Sequence, residues 1–355
     1  MNFYDFNYRK NTLNSIRFER PDAIPMTFMI NDSCWQHYPQ EFLFELMDSH
    51  RYLFPDFIKP CARHVPDFAN VARKDEPYTD DWGCTWETSD DGITGTVTKH
   101  PLDDWSAYDR YAIPDPEKCT GIGPADWEQE KADIKRNEEQ CRASKGGLVH
   151  GHTFLRLSDI RGYQNLMFDM ADEEPMLSDL IQKIEDFNLY IINRYADIGT
   201  DIIEYPEDLG MQKGPMISPA HFMKYVKPSY IKMVRPAKRK GIIVHMHSDG
   251  CLHDLMDDIL DCGMDVMNLQ DIVNGVDWIR DRLYGKVCIE LDIDRQYITA
   301  KGDPGQIDSL IRDEVEKLGS KEGGLMMIYG LYPGVPKENV KAIMDAMERY
   351  AFYFI

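Results

Sequence analysis

An alternation of amphipathic helical stretches with short β-branched runs in the second half of the chain constrains the fold more than any other feature. Residues 176–198 carry leucine and isoleucine at helical spacing, Gly199 ends this pattern, and residues 201–205 favour a strand. A helix that begins at Ser218 and a strand over residues 242–246 repeat the same order. Repeated units of this kind are typical of a parallel sheet whose strands alternate with helices.

We predict from this repetition an α/β fold, a (β/α)8 barrel, formed as a single domain by residues 1–355. One barrel strand stays unplaced in this prediction. The further predicted strands cover residues 24–29, 148–154, 264–268, 287–291 and 325–329, and the further predicted helices cover residues 252–262, 304–318 and 336–351.

Residues 30–146 are too long for a single unit of one strand and one helix. Within them, residues 84–88 and 93–98 flank the acidic, glycine-containing segment 90–92, which favours a tight turn between two strands. We therefore predict an inserted β-hairpin in this region that partly covers the barrel mouth.

The charge and the apolar runs of the chain argue against several classes of function. A formal net charge of −21 at pH 7 repels the phosphate backbone, so we expect no nucleic-acid partner. Apolar runs such as residues 242–244 are far too short to cross a bilayer, and residues 1–5 lack the basic, then apolar pattern of a signal sequence. We therefore expect a cytoplasmic protein with no membrane partner. Eight scattered cysteines without a Cys-x-x-Cys pair predict reduced thiols.

Acidic and imidazole side chains follow three of the predicted strands, and the chemistry of (β/α)8 enzymes takes place at such strand ends. Alternation along an extended chain points His245 and His247 to one side. Imidazole nitrogen together with carboxylate oxygen suits zinc or another divalent first-row ion, with a position left open for substrate. The alternative is that the carboxylates cap helices or pair with arginines. The residues that we predict to bind the metal are His247, Glu204, Glu207 and Glu290.

Several segments resemble one known family. Residues 207–219, which begin Glu-Asp-Leu-Gly, are followed by the His-Ser-Asp-Gly segment 247–250 and by residues 263–266. Together they resemble the uroporphyrinogen decarboxylase superfamily, which includes zinc-dependent corrinoid methyltransferases. The resemblance covers most of the chain, because it extends through residues 20–25, 156–169 and 332–339.

The resemblance also indicates a branch of the superfamily. The decarboxylases follow the first strand with an arginine-bearing segment that holds the carboxylates of their substrate, whereas residues 31–35 contain no arginine. The methyltransferases bind zinc through a histidine, a cysteine two residues later and a cysteine near the last strand. His247 matches the histidine, but Asp249 and Tyr329 stand at the two cysteine positions. Oxygen-rich ligation favours a reaction in which oxygen is the leaving group, as in the demethylation of methoxylated compounds.

The resemblance thus implies a metal-dependent methyltransferase that moves a methyl group from a methoxylated or similar small donor to a corrinoid, which a separate small corrinoid-binding protein supplies. The implied metal is Zn²⁺ or another divalent ion, and we allow for a homodimer. The alternatives are a decarboxylase of a tetrapyrrole and a non-catalytic barrel that binds a tetrapyrrole or small metabolite. In the insertion, the tryptophans either contact a flat substrate or form a small core of their own. The predicted catalytic residues are Tyr329, His245 and Asp249, and the predicted substrate-binding residues are Trp82, Trp86, Asp208 and Met29.

Overall fold

The structure is a computed structural model that describes residues 6–355. Residues 1–5, on which the expectation about a signal sequence rests, lie outside the described residues. The strands are β1 (Met26–Ile30), β2 (Tyr78–Thr79), β3 (Thr85–Glu87), β4 (Thr96–Lys99), β5 (Lys145–Gly147), β6 (Ile202–Asp208), β7 (Ile243–Asp249), β8 (Val266–Gln270), β9 (Cys288–Asp292) and β10 (Leu325–Leu331).

The helices follow the strands in the alternating order that the sequence predicts. They are α1 (Tyr8–Arg17), α2 (Cys34–His37), α3 (Gln40–Ser49), α4 (Trp127–Glu139), α5 (Phe154–Arg161), α6 (Tyr163–Asp172), α7 (Pro175–Ile198), α8 (Pro219–His221), α9 (Lys227–Arg239), α10 (Met256–Leu260), α11 (Asp271–Asn274), α12 (Val276–Leu283), α13 (Ile298–Lys301), α14 (Pro304–Leu318) and α15 (Lys337–Ala351). Short 3-10 turns cover Asn70–Ala72 and Trp105–Arg110, and a π-helical turn over Phe222–Val226 leads into α9.

The chain divides into two compact units. The first unit comprises the described part of Met1–Arg73 together with Asp90–Thr94 and Asn268–Ile355, and the second comprises Lys74–Ser89 and Gly95–Met267. The prediction of a single domain stays a prediction.

In the first unit, β1 pairs with β10 and β10 pairs with β9, and both pairs are parallel. The register places Phe28 opposite Tyr329 and Met29 opposite Gly330. Neighbouring residues of a strand point to opposite faces of the sheet, so Phe28 and Tyr329 share one face while Met29 and Gly330 share the other. The side chain of Met29 is exposed, whereas Phe28 and Tyr329 are buried.

In the second unit, β5, β6 and β7 pair in this order, and all are parallel. A separate antiparallel sheet has the order β2, β3, β4, and it contains the predicted β-hairpin. The predicted helix over residues 176–198 is α7, which begins one residue earlier and ends at Gly199 with a left-handed backbone. Ser218 caps the next helix as predicted, because its side chain accepts a hydrogen bond from the backbone N–H of His221 at 3.2 Å.

The predicted strand over residues 148–154 is wrong in its bounds. The strand β5 lies earlier, at Lys145–Gly147, and residue 154 already begins α5. A Cβ atom on Gly147 would lie 2.2 Å from the carbonyl oxygen of Glu204, so only a glycine allows β5 to approach β6 this closely. Residues 148–153, which the sequence assigns to a strand, therefore form the connection between β5 and α5. The predicted helix over residues 252–262 is also shorter, at Met256–Leu260.

Two of the expectations about the whole chain can be compared with the described residues. None of the helices within residues 6–355 is long and apolar enough to cross a membrane. The eight cysteines all lie in this part of the chain, and each is a free thiol, as their spacing predicts.

A buried carboxyl pair in the first unit makes stability depend on pH. Glu314 of α14 and Asp271 of α11 are both about 1% exposed. Burial, together with the charge of Asp271, raises the pKa of Glu314 well above its ordinary value. The raised pKa favours the protonated form of Glu314, which can donate a hydrogen bond to the carboxylate of Asp271. The carboxylate of Asp271 in turn accepts the backbone N–H of Asp294 at 2.8 Å.

We expect Glu314→Gln to stabilise the protein increasingly as pH rises. The pKa of Glu314 is raised in the folded state, so its stabilising contribution is present below the ordinary pKa of a glutamate and is lost as pH rises from there towards the raised value. The glutamine keeps a donor for Asp271 and removes this loss, which is on the order of 1 kcal/mol per pH unit for one proton. Urea unfolding from about pH 5 to pH 8 measures the difference. Glu316→Gln, an exposed position of the same helix, is the control, and equal pH slopes in both variants would contradict the assignment.

Candidate metal centre

The carboxyl-terminal halves of β6 and β7 present a row of polar side chains on one face of the sheet. In register, Glu204 lies opposite His245, and Asp208 lies opposite Asp249. His247, two residues after His245, belongs to the same face, as the predicted alternation requires. Both strands extend three residues further at their carboxyl ends than the sequence predicts, so these side chains are held on paired backbone rather than on loops.

Three of the side chains at this end of the second unit converge. The Nε2 atom of His247 lies 3.6 Å from Oδ1 of Asp208, and the Nε2 atom of His150 lies 3.3 Å from Oδ2 of the same carboxylate. One ligand atom from each residue lies within 4.8 Å of the other two, and no other group of histidine, cysteine or carboxylate ligands in residues 6–355 meets this distance. Asp208 and His247 are half-buried, while the side chain of His150 is 51% exposed. We call these three residues the His-Asp-His cluster.

The sequence analysis missed His150. It lies three residues after the end of β5, in the segment that the sequence assigns to the interior of a strand. With the strand ending at Gly147, His150 is a strand-end residue like His247 and Asp208. The Val-His-Gly-His segment over residues 149–152 was the available signal, since imidazoles next to a glycine after an apolar run occupy the position where such barrels carry chemistry.

Asp249 borders the cluster. Its Oδ1 atom lies 3.8 Å from Nε2 of His247, and its backbone N–H donates to Oδ1 of Asp208 at 2.9 Å. Beyond the strand ends, the backbone N–H of Leu209 donates to Oγ of Ser248 at 2.9 Å. The backbone that carries Asp208, His247 and Asp249 is therefore held by hydrogen bonds that continue past the end of the sheet.

A close backbone contact between Gly210 and Gly250 also holds these two segments together. A Cβ atom on Gly250 would lie 2.1 Å from the carbonyl carbon of Gly210, and Gly250 has a φ of +82°. Both the contact and the left-handed backbone require glycine at position 250. The loops after β6 and β7 can approach each other to this distance only because neither residue has a side chain.

The charges in the cluster stabilise each other. Burial alone would lower the pKa of His150, but the hydrogen bond and charge of Asp208 outweigh burial and raise it. Burial opposes ionisation of Asp208, but the hydrogen bond and charge of His150 outweigh this, so the pKa of Asp208 is lowered. Asp208 is thus held as a carboxylate, the form that binds a metal ion.

The donor set fits a divalent first-row metal. Two imidazole nitrogens and one carboxylate oxygen are the ligands of many catalytic zinc sites, in which three protein ligands leave a position open for water or substrate. The exposure of His150 leaves one side of the cluster accessible. That His247 binds a metal stays a prediction, and the structure adds His150 and Asp208 as its partners in that role.

A family model described as uroporphyrinogen decarboxylase (URO-D) matches residues 57–350 of the chain. The chain belongs to the uroporphyrinogen decarboxylase family. The resemblance that the sequence motifs indicate is thereby confirmed. None of the curated proteins compared with this chain is significantly similar to it in sequence.

Among solved structures, a methyltransferase from Methanosarcina mazei is similar to this URO-D family chain with a TM-score of 0.66 and 16% sequence identity, over 98% of this chain and 99% of that chain. This likeness confirms the predicted fold class, an α/β fold of the (β/α)8-barrel type. A dihydropteroate synthase from Anaplasma phagocytophilum has a TM-score of 0.34 and 16% identity, over 48% of this chain and 69% of that chain. A GH53 catalytic domain from Ignisphaera aggregans has a TM-score of 0.34 and 11% identity, over 84% and 99%. The last two likenesses are too distant to support an inference.

The structure gives Glu204 and Glu207 surroundings other than those of a metal ligand. Glu204 pairs with Nζ of Lys145 at 2.9 Å, and it lies opposite His245 rather than beside His247. Glu207 is fully buried on the other face of β6, and its carboxylate accepts hydrogen bonds from several donors of the protein. Burial raises the pKa of Glu207 to about 7, although these donors oppose the shift. Neither carboxylate belongs to the His-Asp-His cluster.

The two tryptophans predicted to bind substrate belong to a small core of the insertion. Asp80 accepts hydrogen bonds from the indole N–H of Trp86 at 2.9 Å and from Nη1 of Arg156 at 3.0 Å. Arg156 is almost fully buried and lies over the ring of Trp82, with its Cζ atom 5.6 Å from the ring centre. Trp82 also packs against Phe187 of α7 and is 2% exposed. The second of the two alternatives for these tryptophans, a core of their own, fits this geometry.

Three of the remaining predicted site residues, Tyr329, Glu290 and Met29, lie in the first unit. Tyr329 is fully buried, its ring centre lies 5.4 Å from that of Phe28, and burial raises its pKa. The role of Tyr329 as a proton donor stays a prediction. Glu290 is 3% exposed, whereas Met29 is 54% exposed and accessible to a ligand. His245 of the second unit is 4% exposed and lies below His247 on β7.

Proposed function

We propose that this URO-D family protein is a metal-dependent methyltransferase. It would move a methyl group from a methoxylated or similar small donor to the cobalt of a corrinoid carried by a separate small protein. The observation that carries the proposal is the His-Asp-His cluster, which offers nitrogen and oxygen ligands and no thiolate. Sulfur-rich ligation suits the activation of a thiol acceptor, whereas this donor set suits a reaction at oxygen.

The transfer requires charge to be neutralised on the donor's oxygen. The C–O bond of the methoxy group breaks, the methyl carbon bonds to the cobalt of the reduced acceptor, which supplies the electron pair, and the released oxygen takes up a proton. A divalent ion in the cluster would act as a Lewis acid that stabilises the negative charge on this oxygen.

The residues of the chain have distinct parts in this proposal. His150 and His247 would supply nitrogen ligands to the ion, and Asp208, which is held as a carboxylate beside them, would supply an oxygen ligand. Asp249 lies beside His247 and is 35% exposed, and its role as a catalytic residue stays a prediction. The role of His245 as a proton donor stays a prediction.

Purified protein with a reduced corrinoid acceptor and a panel of methoxylated aromatic compounds tests the proposal. We expect methylated corrinoid and free phenol in equal amounts, loss of the reaction after treatment with a chelator, and its recovery when Zn²⁺ is added. Uroporphyrinogen should be left unchanged, because residues 31–35 offer no arginine for its carboxylates. Loss of carboxyl groups from uroporphyrinogen without use of a methyl donor would favour the decarboxylase instead. Tight binding of a porphyrin or corrinoid by a metal-free protein with neither activity would favour the non-catalytic binder.

A further inference from the structure

Glu207 and Asp208 are neighbours in the sequence but point to opposite faces of β6. Asp208 belongs to the His-Asp-His cluster, while the carboxylate of Glu207 lies in the layer between the sheet and the helices. At this place it accepts backbone N–H groups at the start of α5. The donors are Thr153 at 3.0 Å and Phe154 at 2.8 Å to Oε2, and Leu155 at 3.1 Å to Oε1.

The segment that these bonds hold is the one that carries His150. The start of α5 is four residues after His150, and the backbone N–H of Gly151 donates to the carbonyl oxygen of Pro206 at 3.0 Å. Asn188 of α7 donates its side-chain N–H to the carbonyl oxygen of His152 at 2.9 Å. The backbone N–H of Leu148 donates to the carbonyl oxygen of Glu204 at 3.0 Å, so the short connection from β5 to α5 is bonded to β6 two residues before His150 and again one residue after it.

A carboxylate is the group that this position requires. Three converging N–H donors at a helix N-terminus favour an anion, and the hydroxyl of Tyr230 adds a fourth donor to Oε2 at 3.0 Å. These bonds offset part of the cost of burying the charge. A glutamine has the same size but only one oxygen acceptor. Its side-chain NH2 group is a donor and would face the backbone N–H groups of α5, which are also donors.

We propose that Glu207 is a positioning residue of the candidate metal centre, which fixes His150 relative to Asp208 by bonding the start of α5 to β6. The inference rests on the proposed function, since it requires that the cluster binds a metal ion. It replaces the sequence-based prediction that Glu207 is itself a ligand. Groups that orient metal ligands from outside the coordination shell typically change metal affinity by about 10- to 100-fold when they are removed.

The test is Co²⁺ binding by the full-length Glu207→Gln variant, followed through the visible absorption of the bound ion. We expect affinity for Co²⁺ to fall by about 10- to 100-fold and the absorption bands to change in position or intensity, because the ligands no longer meet at the same distances. Circular dichroism confirms that the measured protein is folded. A purely structural role would lower the unfolding midpoint and leave the affinity and spectrum of the folded protein unchanged.

Glu185→Gln is the matched control. Glu185 is also a buried carboxylate of the second unit, 4% exposed, but it pairs with Lys232 at 2.8 Å and not with α5. We expect this variant to lose stability and to keep the Co²⁺ affinity and spectrum of the unaltered protein. An equal fall in affinity in both variants would overturn the inference.

Tyr230→Phe keeps the inference testable if Glu207→Gln does not fold. It removes one of the four hydrogen bonds to the carboxylate and no charge, so we expect a smaller fall in affinity, of about 2- to 5-fold, with a shifted spectrum. Unchanged affinity and spectrum in every folded variant would overturn the inference while leaving the proposed function in place. Absence of saturable Co²⁺ or Zn²⁺ binding by the unaltered protein would instead overturn the proposed function, and the inference with it.

Discussion

His150→Ala is expected to abolish tight metal binding and to lower methyl transfer by roughly a thousandfold or more. The variant removes one of three converging ligand groups, and the Lewis acidity of a bound ion contributes several kcal/mol to the stabilisation of charge at the leaving oxygen. The fold should remain intact, because the side chain of His150 is 51% exposed and little buried surface is lost with it. The His150→Ala variant can therefore show the effect of losing the metal centre without the effect of unfolding.

Metal content after dialysis, methyl transfer and the thermal midpoint are the three measurements for this variant. His253→Ala is the control, because His253 is an exposed histidine of the same unit that lies outside the cluster. It should match the unaltered protein in all three. Full metal content in His150→Ala would remove His150 from the centre, even if activity fell.

Gly250→Ala is expected to destabilise the protein by about 2–5 kcal/mol and to weaken metal binding. A Cβ atom at this position would lie 2.1 Å from the backbone of Gly210, at a φ of +82°. The left-handed backbone alone costs an alanine roughly 1–2 kcal/mol, and forcing two backbone segments apart adds roughly 1–3 kcal/mol. The segments that must move follow Asp208 and Asp249, so the ligand distances change as well.

Gly241→Ala separates the two contributions. Gly241 has a φ of +68°, and an added Cβ there would meet no atom within 4 Å, so this variant carries the backbone cost without the contact. Urea unfolding of both variants should show the larger loss for Gly250→Ala, and Co²⁺ titration should show weakened binding for that variant alone. Equal losses of stability would mean that the loops separate without cost and that the glycine contact does not hold the cluster.

The pattern of helices and strands could be read from the sequence because it is local. The helix α14 has the bounds that its capping residues and apolar spacing predict, and α7 differs by one residue. The strand β5 could not be predicted in the same way, because its end depends on how closely Gly147 approaches the backbone of β6. Such an approach is a property of two segments that are distant in sequence.

The tryptophans and Glu207 show the same limit for side chains. Trp82 and Trp86 carry features of a substrate site, yet both lie around a carboxylate, Asp80, whose partners come from α5 and from the insertion itself. Glu207 looks like a ligand in the sequence because it is an acid next to Asp208. Its proposed role depends on the start of α5, which lies next to its carboxylate. No local sequence pattern indicates that this helix and Glu207 are in contact.

The sequence by itself determined that His245 and His247 point to the same side, because side-chain direction in an extended chain depends only on odd or even position. It also determined the family, through segments spread over most of the chain. Only the tertiary structure decided that His150 joins Asp208 and His247, and that Glu204 does not. The distance between ligand atoms on different strands is set by the hydrogen-bonded register between those strands. The paired strands are far apart in the sequence, and no local pattern of residues shows which residue of one strand will lie opposite which residue of the other.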